Sequence, residues 1–127
     1  MLVVCLLWSS CEDPDLNVQQ DFPFEIRVMP VPVTAVPGQP VEIRMTISAP
    51  GNYAGTRYFL RYFQDEGEGT LQYYDQEPYL PNDSYVLRSM QFRLYYISLS
   101  QDRQSFRVWI SDSFGNEQQL EFEFDGA

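Results

Sequence analysis

The strongest constraint on the fold is a strict alternation of apolar and polar residues. Between positions 41 and 48 the sequence reads VEIRMTIS, in which every second residue is apolar. The same two-residue period occurs in FEIRVM (24–29) and in QFRLYY (91–96). Because successive side chains of a strand point to opposite faces, this period predicts half-buried antiparallel strands. Helical spacing with capping residues does not occur over a convincing length.

Turn residues separate the alternating runs. Residues 37–38 and 50–51 both read Pro-Gly, which suits the two central positions of a type II turn. The stretch DEGEG (65–69) predicts a hairpin turn between two strands. Pro30 and Pro32 cannot donate a hydrogen bond to a neighbouring strand, so they place the first strand at a sheet edge.

The spacing of strands and turns predicts the fold class. A chain of 127 residues is long enough for one domain with a substantial core. About seven short strands separated by turns are typical of a two-sheet sandwich. We therefore expect an all-β fold, an immunoglobulin-like antiparallel β-sandwich, over residues 22–127. A small barrel is the alternative.

The last two strands allow a prediction of register. In SFRVWISDSFGNEQQLEFEF (105–124) the turn centres near Phe114. Paired residue numbers should then sum to about 228. This register is well specified, because a slip of one residue would place Arg107 against an apolar residue. The predicted pairs are Phe106–Phe122 and Val108–Leu120 on the buried face, and Arg107–Glu121 and Trp109–Gln119 on the outer face.

The N-terminal residues resemble a bacterial lipoprotein leader. The apolar run at 2–8 is far shorter than the roughly 20 residues that span a membrane, but it fits the apolar region of a secretory signal. The small residues Ser9 and Ser10 precede Cys11, as in a lipobox, where the cysteine becomes the lipid-modified first residue. We expect a signal peptide at 1–10 that is truncated or starts late, since no Lys or Arg precedes Cys11.

The residues after Cys11 indicate a location. Residues 11–21 are expected to form a lipid-anchored tether, and their acidic residues resemble export signals of surface lipoproteins in Gram-negative bacteria. The prediction is a protein of the outer membrane or cell surface that contacts the membrane through its lipid anchor alone. The alternatives are an ordinary buried leader and a Cys5–Cys11 disulfide, although Cys5 lies within the run that a signal peptidase would remove.

Charge and composition exclude several functions. The net charge of −10 opposes binding to a nucleic acid. Without His there is no Ser-His-Asp or Cys-His catalytic unit and no imidazole metal ligand. The stretch at 65–69 lacks the spacing of a calcium loop. We therefore expect a non-catalytic protein with no metal and no cofactor, although a pair of carboxylates could in principle support a small hydrolase.

Outward aromatic residues are the candidate binding residues. If Phe92, Leu94 and Tyr96 point inward, Tyr95 points outward, and by the same argument so does Trp109. Trp, Tyr and Arg dominate the energetics of protein interfaces. The predicted protein interface is Trp109, Arg107 and Tyr95. The alternative is that a loop or the tether covers these residues.

Five blocks of the sequence, taken in order, are more specific together than any one alone. They are DFPFEIRVMPVP (21–32), GTRYFLRYFQDEGEGTL (55–71), YLPNDSYVL (79–87), FRLYYIS (92–98) and ISDSFGNEQQLEF (110–122). These blocks resemble the TraQ family of small lipoproteins, which are encoded among the transfer genes of conjugative transposons. The resemblance implies an immunoglobulin-like sandwich and a place in a conjugative transfer operon, and it implies no catalytic residues.

These observations together predict a non-catalytic lipoprotein of the cell envelope. It would act as an accessory structural or interaction component of a conjugative transposon transfer apparatus. Its partners would be other envelope or conjugation-machinery proteins, and no nucleic acid. The alternative function is a surface module that binds a glycan or a protein.

Overall fold

The structure, a computed structural model, describes residues 24–49 and 55–127 and contains eight strands in two sheets. Neighbouring strands pair antiparallel, and no helix occurs in these ranges. The all-β sandwich is confirmed. The strands are β1 (Glu25–Val28), β2 (Pro40–Ser48), β3 (Tyr58–Glu66), β4 (Gly69–Tyr73), β5 (Tyr85–Leu87), β6 (Gln91–Ser98), β7 (Gln104–Asp112) and β8 (Glu117–Phe124).

The order of the strands is immunoglobulin-like. The first sheet runs β1-β2-β6-β4 and the second β5-β3-β7-β8. If the short strand β5 is left out, seven strands remain in the order of an immunoglobulin constant domain. The predicted number of about seven is thus correct for the framework, and β5 is an additional strand beside β3. As the prolines predicted, β1 lies at a sheet edge.

The core is formed by the inward side chains of both sheets. On β2 and over residues 91–96 of β6 the predicted alternation holds, because the apolar residues at every second position are buried and the side chains between them face outward. Aromatic rings stack within this core: Tyr96 of the first sheet stacks on Phe106 of the second with ring centroids 4.4 Å apart, and Phe106 stacks on its strand neighbour Phe122 at 5.2 Å. The buried aliphatic residues around them include Ile43, Met45, Leu60, Leu71, Leu94, Val108 and Ile110.

The predicted register of the last hairpin is confirmed. Phe106 pairs with Phe122, and Arg107 pairs with Glu121. The Asp112 carboxylate holds the turn, since it accepts hydrogen bonds from the backbone amides of Phe114 and Asn116, each at 2.9 Å. One detail is wrong: Leu120, which was expected to be buried, is half-buried, whereas Phe122 and Phe124 on the same strand are buried.

The predicted hairpin at 65–69 is also wrong. β3 and β4 belong to different sheets, so this segment crosses from one sheet to the other. Gly67 has a φ of +80°, which suits a residue without a Cβ. A Cβ at Gly69 would overlap the hydroxyl group of Tyr96. The crossing therefore depends on close packing against the core, which the local sequence does not reveal.

Polar side chains are buried beneath this crossing. The Tyr96 hydroxyl donates to Gln104 Oε1 at 2.5 Å, and Gln64 Nε2 donates to the Tyr96 oxygen at 2.8 Å. Burial raises the pKa of Tyr96 to about 12, which keeps its proton in place. These bonds connect both sheets and satisfy groups that would be costly to bury alone.

Of the two predicted Pro-Gly turns, the one at 37–38 is confirmed and the one at 50–51 lies outside the described residues. Gly38 has a φ of +83°, and the amide of Gln39 donates to Val36 O at 3.0 Å, as a type II turn at 37–38 requires. Four predicted segments lie outside the described residues: the leader (1–10), the tether (11–21) with Cys11, the first two residues of the predicted domain (22–23) and the turn at 50–51.

The described chain begins at one end of the sandwich. The carbonyl oxygen of Phe24 accepts a hydrogen bond from Gln118 Nε2 at 3.0 Å, and its ring packs against Tyr58. Phe24 therefore lies at the end that carries the turn between β7 and β8. The crossing at 65–69 lies at the opposite end, next to the start of β7.

Candidate functional site

The predicted interface residues lie on two different surfaces. Trp109 and Arg107 point outward from β7, in the second sheet. Tyr95 points outward from β6, in the first sheet. Because the two sheets face each other across the core, these outer surfaces are on opposite sides of the molecule. Arg107 and Trp109 come together, and Tyr95 does not join them.

The outer surface around Trp109, here called the tryptophan face, combines aromatic and cationic side chains. Arg61 is the cross-strand neighbour of Trp109, and Phe63 is that of Arg107. All of the side chains of this face are half-buried. Its members are Phe59, Arg61 and Phe63 on β3, and Arg107 and Trp109 on β7.

Trp109 is held by three contacts. The guanidinium carbon of Arg61 lies 4.1 Å from the centroid of the ring, and that of Arg107 lies 4.9 Å from it. The indole Nε1 donates to Gln119 Oε1 at 2.9 Å. Cations over an aromatic face are attracted by its quadrupole. The ring is therefore held in place by its neighbours before any partner binds.

Arg107 forms an ion pair, although not with the expected residue. Glu121 is its strand neighbour, as predicted, but the two hydrogen bonds of the guanidinium go to Asp65, at 2.7 and 2.8 Å. The planar fork of Arg107 matches both oxygens of that carboxylate. The hydrogen bond to Asp65 raises the pKa of Arg107 above its ordinary value, so it stays charged.

Arg61 has a neutral hydrogen-bond partner. Its Nη1 donates to the amide oxygen of Asn82 at 3.2 Å. Arg61, Phe59 and Phe63 were not among the residues predicted from the sequence. The alternation in YFLRYF (58–63) places these three side chains on the side opposite Tyr58, Leu60 and Tyr62, which was a usable signal. That this side lies beside Trp109 depends on the pairing of β3 with β7.

The outer surface around Tyr95, here called the glutamate face, is arranged differently. Glu42 lies at its centre and accepts hydrogen bonds from Arg44 Nε at 2.8 Å, the Tyr95 hydroxyl at 3.1 Å and Arg93 Nη1 at 3.4 Å. The hydrogen bond from Arg44 is the main cause that lowers the pKa of Glu42. The face is defined by Glu42, Arg44, Arg93 and Tyr95.

A shallow groove of about 460 Å³ adjoins Tyr95. Tyr74 at its wall is partly exposed and has a φ of +52°, an uncommon conformation for a bulky residue. Gln72 Nε2 donates to the carbonyl oxygen of Tyr74 at 2.9 Å. The residues that line the groove are Pro40, Gln72, Tyr74, Asp75, Tyr95 and Ile97.

Neither a metal-binding cluster nor a membrane-spanning helix occurs in the described ranges. Within residues 24–49 and 55–127, no three His, Cys, Asp or Glu side chains are grouped so that they could hold a metal ion. The same part of the chain contains no helix that could span a bilayer.

Comparison with known proteins connects this geometry to a group of relatives. A family profile described as TraQ conjugal transfer protein matches residues 1–127. A conjugative transposon lipoprotein from Bacteroides eggerthii is 44% identical, with a TM-score of 0.77 over 84% of this chain and 100% of that one. No protein of curated function matches the sequence significantly.

Two other solved structures from Bacteroides have the same fold. A lipoprotein from Bacteroides thetaiotaomicron is 45% identical, with a TM-score of 0.78 over 91% of this chain and 88% of that one. A conjugate transposon protein from Bacteroides vulgatus is 42% identical, with a TM-score of 0.74 over 88% and 91%. The likeness covers nearly the whole of each relative.

Proposed function

Because the chain belongs to the TraQ family of conjugal transfer proteins, we propose that it is a non-catalytic envelope lipoprotein that supports conjugative transfer by binding another protein of the apparatus. The names of the B. eggerthii and B. thetaiotaomicron relatives, both called lipoproteins, support the envelope location. The absence of His, the most frequent general base, supports a role in binding rather than catalysis.

The proposed anchor is a lipid on Cys11, in the outer membrane or at the cell surface. Residues 1–10 are then removed, and residues 11–21 become the tether. From Cys11 to Phe24 an extended chain spans at most about 45 Å, so the sandwich stays close to the membrane. The end that carries the turn between β7 and β8 faces the bilayer. The crossing at 65–69 is on the distal end.

Replacement of the anchor cysteine tests this arrangement. Cys11→Ala is expected to move the protein from the membrane fraction to the soluble fraction without a change in its melting temperature, because the eight described strands lie between residues 25 and 124. One acyl chain holds a protein weakly and two or more hold it stably. An unmodified Cys11 in the mass spectrum of the wild-type protein, or a Cys5–Cys11 disulfide, would contradict the anchor.

The observation that carries the proposed function is the tryptophan face. Trp and Arg are enriched at the centres of protein interfaces. Here Arg61 and Arg107 already hold the indole ring of Trp109, so little side-chain entropy remains to be lost on binding. The net charge of −10 disfavours a nucleic acid as the partner.

The proposed function is tested by transfer frequency in mating assays. Deletion of the gene should lower transfer and leave growth unchanged. Trp109→Ala should reproduce part of that loss, because a central interface tryptophan commonly contributes enough for a roughly thirtyfold change in affinity. Leu99→Ala, which truncates an exposed side chain at the distal end, is the control and should transfer normally. Normal transfer by the deletion strain would refute the proposal.

A second candidate function is glycan binding at the groove beside Tyr95. Its tyrosine rings, the Gln72 amide and the Asp75 carboxylate are groups that bind sugar rings and hydroxyls. Its volume is in the range of small-ligand sites. Tyr95→Ala separates the two functions: loss of polysaccharide binding in that variant, with normal transfer in Trp109→Ala, would favour the groove. The reverse result would favour the tryptophan face.

A further inference from the structure

The two arginines that contact Trp109 differ in how their charges are compensated. Arg107 is bound to the Asp65 carboxylate through two hydrogen bonds. Arg61 donates to the neutral amide of Asn82, and within the described residues no carboxylate forms a salt bridge with it. The tryptophan face of this strongly acidic protein therefore presents one uncompensated positive charge.

Arg61 also differs from the other arginines that form no salt bridge in the described ranges. Those residues, which are Arg27, Arg57 and Arg88, are exposed, and none of them lies over an aromatic ring of the described residues. Arg61 is half-buried and stacked on an indole ring that its neighbours hold in place. A planar guanidinium fixed in this way loses little freedom on binding, and its remaining N–H groups match the geometry of a carboxylate.

The two sides of the tryptophan face differ in polarity. On the β5 side, Val86 is 54% exposed and pairs with Phe59, which continues the apolar surface. On the β8 side, Glu117 and Glu121 are exposed and form no salt bridge within the described residues. An approaching anion is therefore repelled from the β8 side and attracted towards Arg61.

We propose that the partner of the tryptophan face is an acidic segment of another envelope protein, bound with a carboxylate on Arg61. This inference rests on the proposed function, because it assumes that the tryptophan face is the contact surface. An apolar residue beside that carboxylate packs on Phe59 and Val86. Basic residues of the partner, where present, face Glu117 and Glu121. The segment is thus oriented across the strands by charge complementarity.

The first experiment identifies the contacting segment. A photo-crosslinking amino acid replaces Val86, whose side chain is exposed at the border of the face, in donor cells that carry the complete transfer operon. The same substitution at Leu99, on the distal end, is the control. The expected adduct occurs at position 86 and not at position 99, and its crosslinked peptide contains an Asp or Glu within a few residues. A peptide without an acid, or one from a second copy of this chain, overturns the inference.

The second experiment reverses the charge. Arg61→Glu should lower transfer roughly tenfold to a hundredfold, because two acids would then oppose each other across a desolvated contact. Replacement of the partner's crosslinked acid by Arg should restore transfer in that variant. Arg57→Glu, which reverses an exposed arginine with no salt bridge in the described residues, is the matched control and should transfer normally.

The outcomes separate this inference from the proposed function. If Trp109→Ala lowers transfer and Arg61→Glu does not, the proposed function stands and the acidic partner is wrong. If the deletion strain transfers normally, the proposed function itself fails. Should Arg61→Glu lower the melting temperature, Arg61→Gln and Arg61→Lys replace it. The lysine variant keeps the charge and should retain more transfer than the glutamine variant, and equal transfer by both overturns the inference.

Discussion

Both outer faces of the sandwich carry arginines beside an aromatic side chain, but they differ in whether those arginines are paired with a carboxylate. On the glutamate face one carboxylate receives hydrogen bonds from two arginines and a tyrosine, so its polar groups satisfy one another. On the tryptophan face the centre is an aromatic ring, and one of its two arginines has no carboxylate partner in the described residues. An interface is therefore better inferred from charged groups that lack a partner within the protein than from residue type alone.

A core substitution should have the largest effect and should not distinguish the two faces. Phe106→Ala removes a fully buried ring that stacks on Tyr96 and Phe122, which lie beneath different faces. We expect the free energy of unfolding to fall by about 3–5 kcal/mol through the cavity that remains. Urea unfolding measures this change. A loss below about 1 kcal/mol would show that the core repacks and that the faces are less firmly supported than the structure indicates.

Removal of the acid on the tryptophan face should change binding more than stability. Asp65→Asn removes the carboxylate that binds Arg107, so the face loses one negative charge, and Glu121, the strand neighbour of Arg107, remains nearby. We expect stronger crosslinking to the acidic partner at position 86, and a melting temperature that changes by a few degrees at most because the pair is partly exposed. Weaker crosslinking in a folded Asp65→Asn protein would mean that the Asp65 pair itself positions Trp109 for binding.

Removal of the acid on the glutamate face is the matched test, with the smallest expected effect. The pKa of Glu42 is lowered in the folded protein, mainly by the hydrogen bond from Arg44. Its contribution to stability is therefore present above the ordinary pKa of about 4.5 and is lost as the pH falls through the lower, folded value. Glu42→Gln should reduce the difference in melting temperature between pH 7 and pH 3 and leave transfer unchanged. A marked loss of transfer would assign partner binding to the glutamate face.

Much of the fold could be read from local patterns. Alternation over 41–48 and 91–96 identified the buried sides of β2 and β6, because the pleat of a strand fixes which side chains share a face. The register of β7 and β8 followed from their short turn, since one turn position determines every pair in a hairpin. The outward orientation of Tyr95 and Trp109 was correct for the same reason.

What local patterns could not determine was how distant segments pair. Alternation orients a side chain relative to its own strand, and it does not say which sheet that strand joins. Tyr95 and Trp109 thus point outward on opposite sides of the molecule, and the stretch at 65–69 crosses between sheets instead of closing a hairpin.

The contacts of Trp109 also depend on strand pairing that local sequence patterns do not reveal. The alternation in YFLRYF was sufficient to place Arg61 on an outward side, although it was not used, but the position of Arg61 over the indole ring depends on the pairing of β3 with β7. Arg107 takes Asp65, 42 residues away in the sequence, in preference to its hairpin neighbour Glu121. The sequence by itself determined which residues are available at the surface. Their grouping into a tryptophan face with one uncompensated charge was decided by tertiary structure, because that grouping depends on strand pairing between distant parts of the chain.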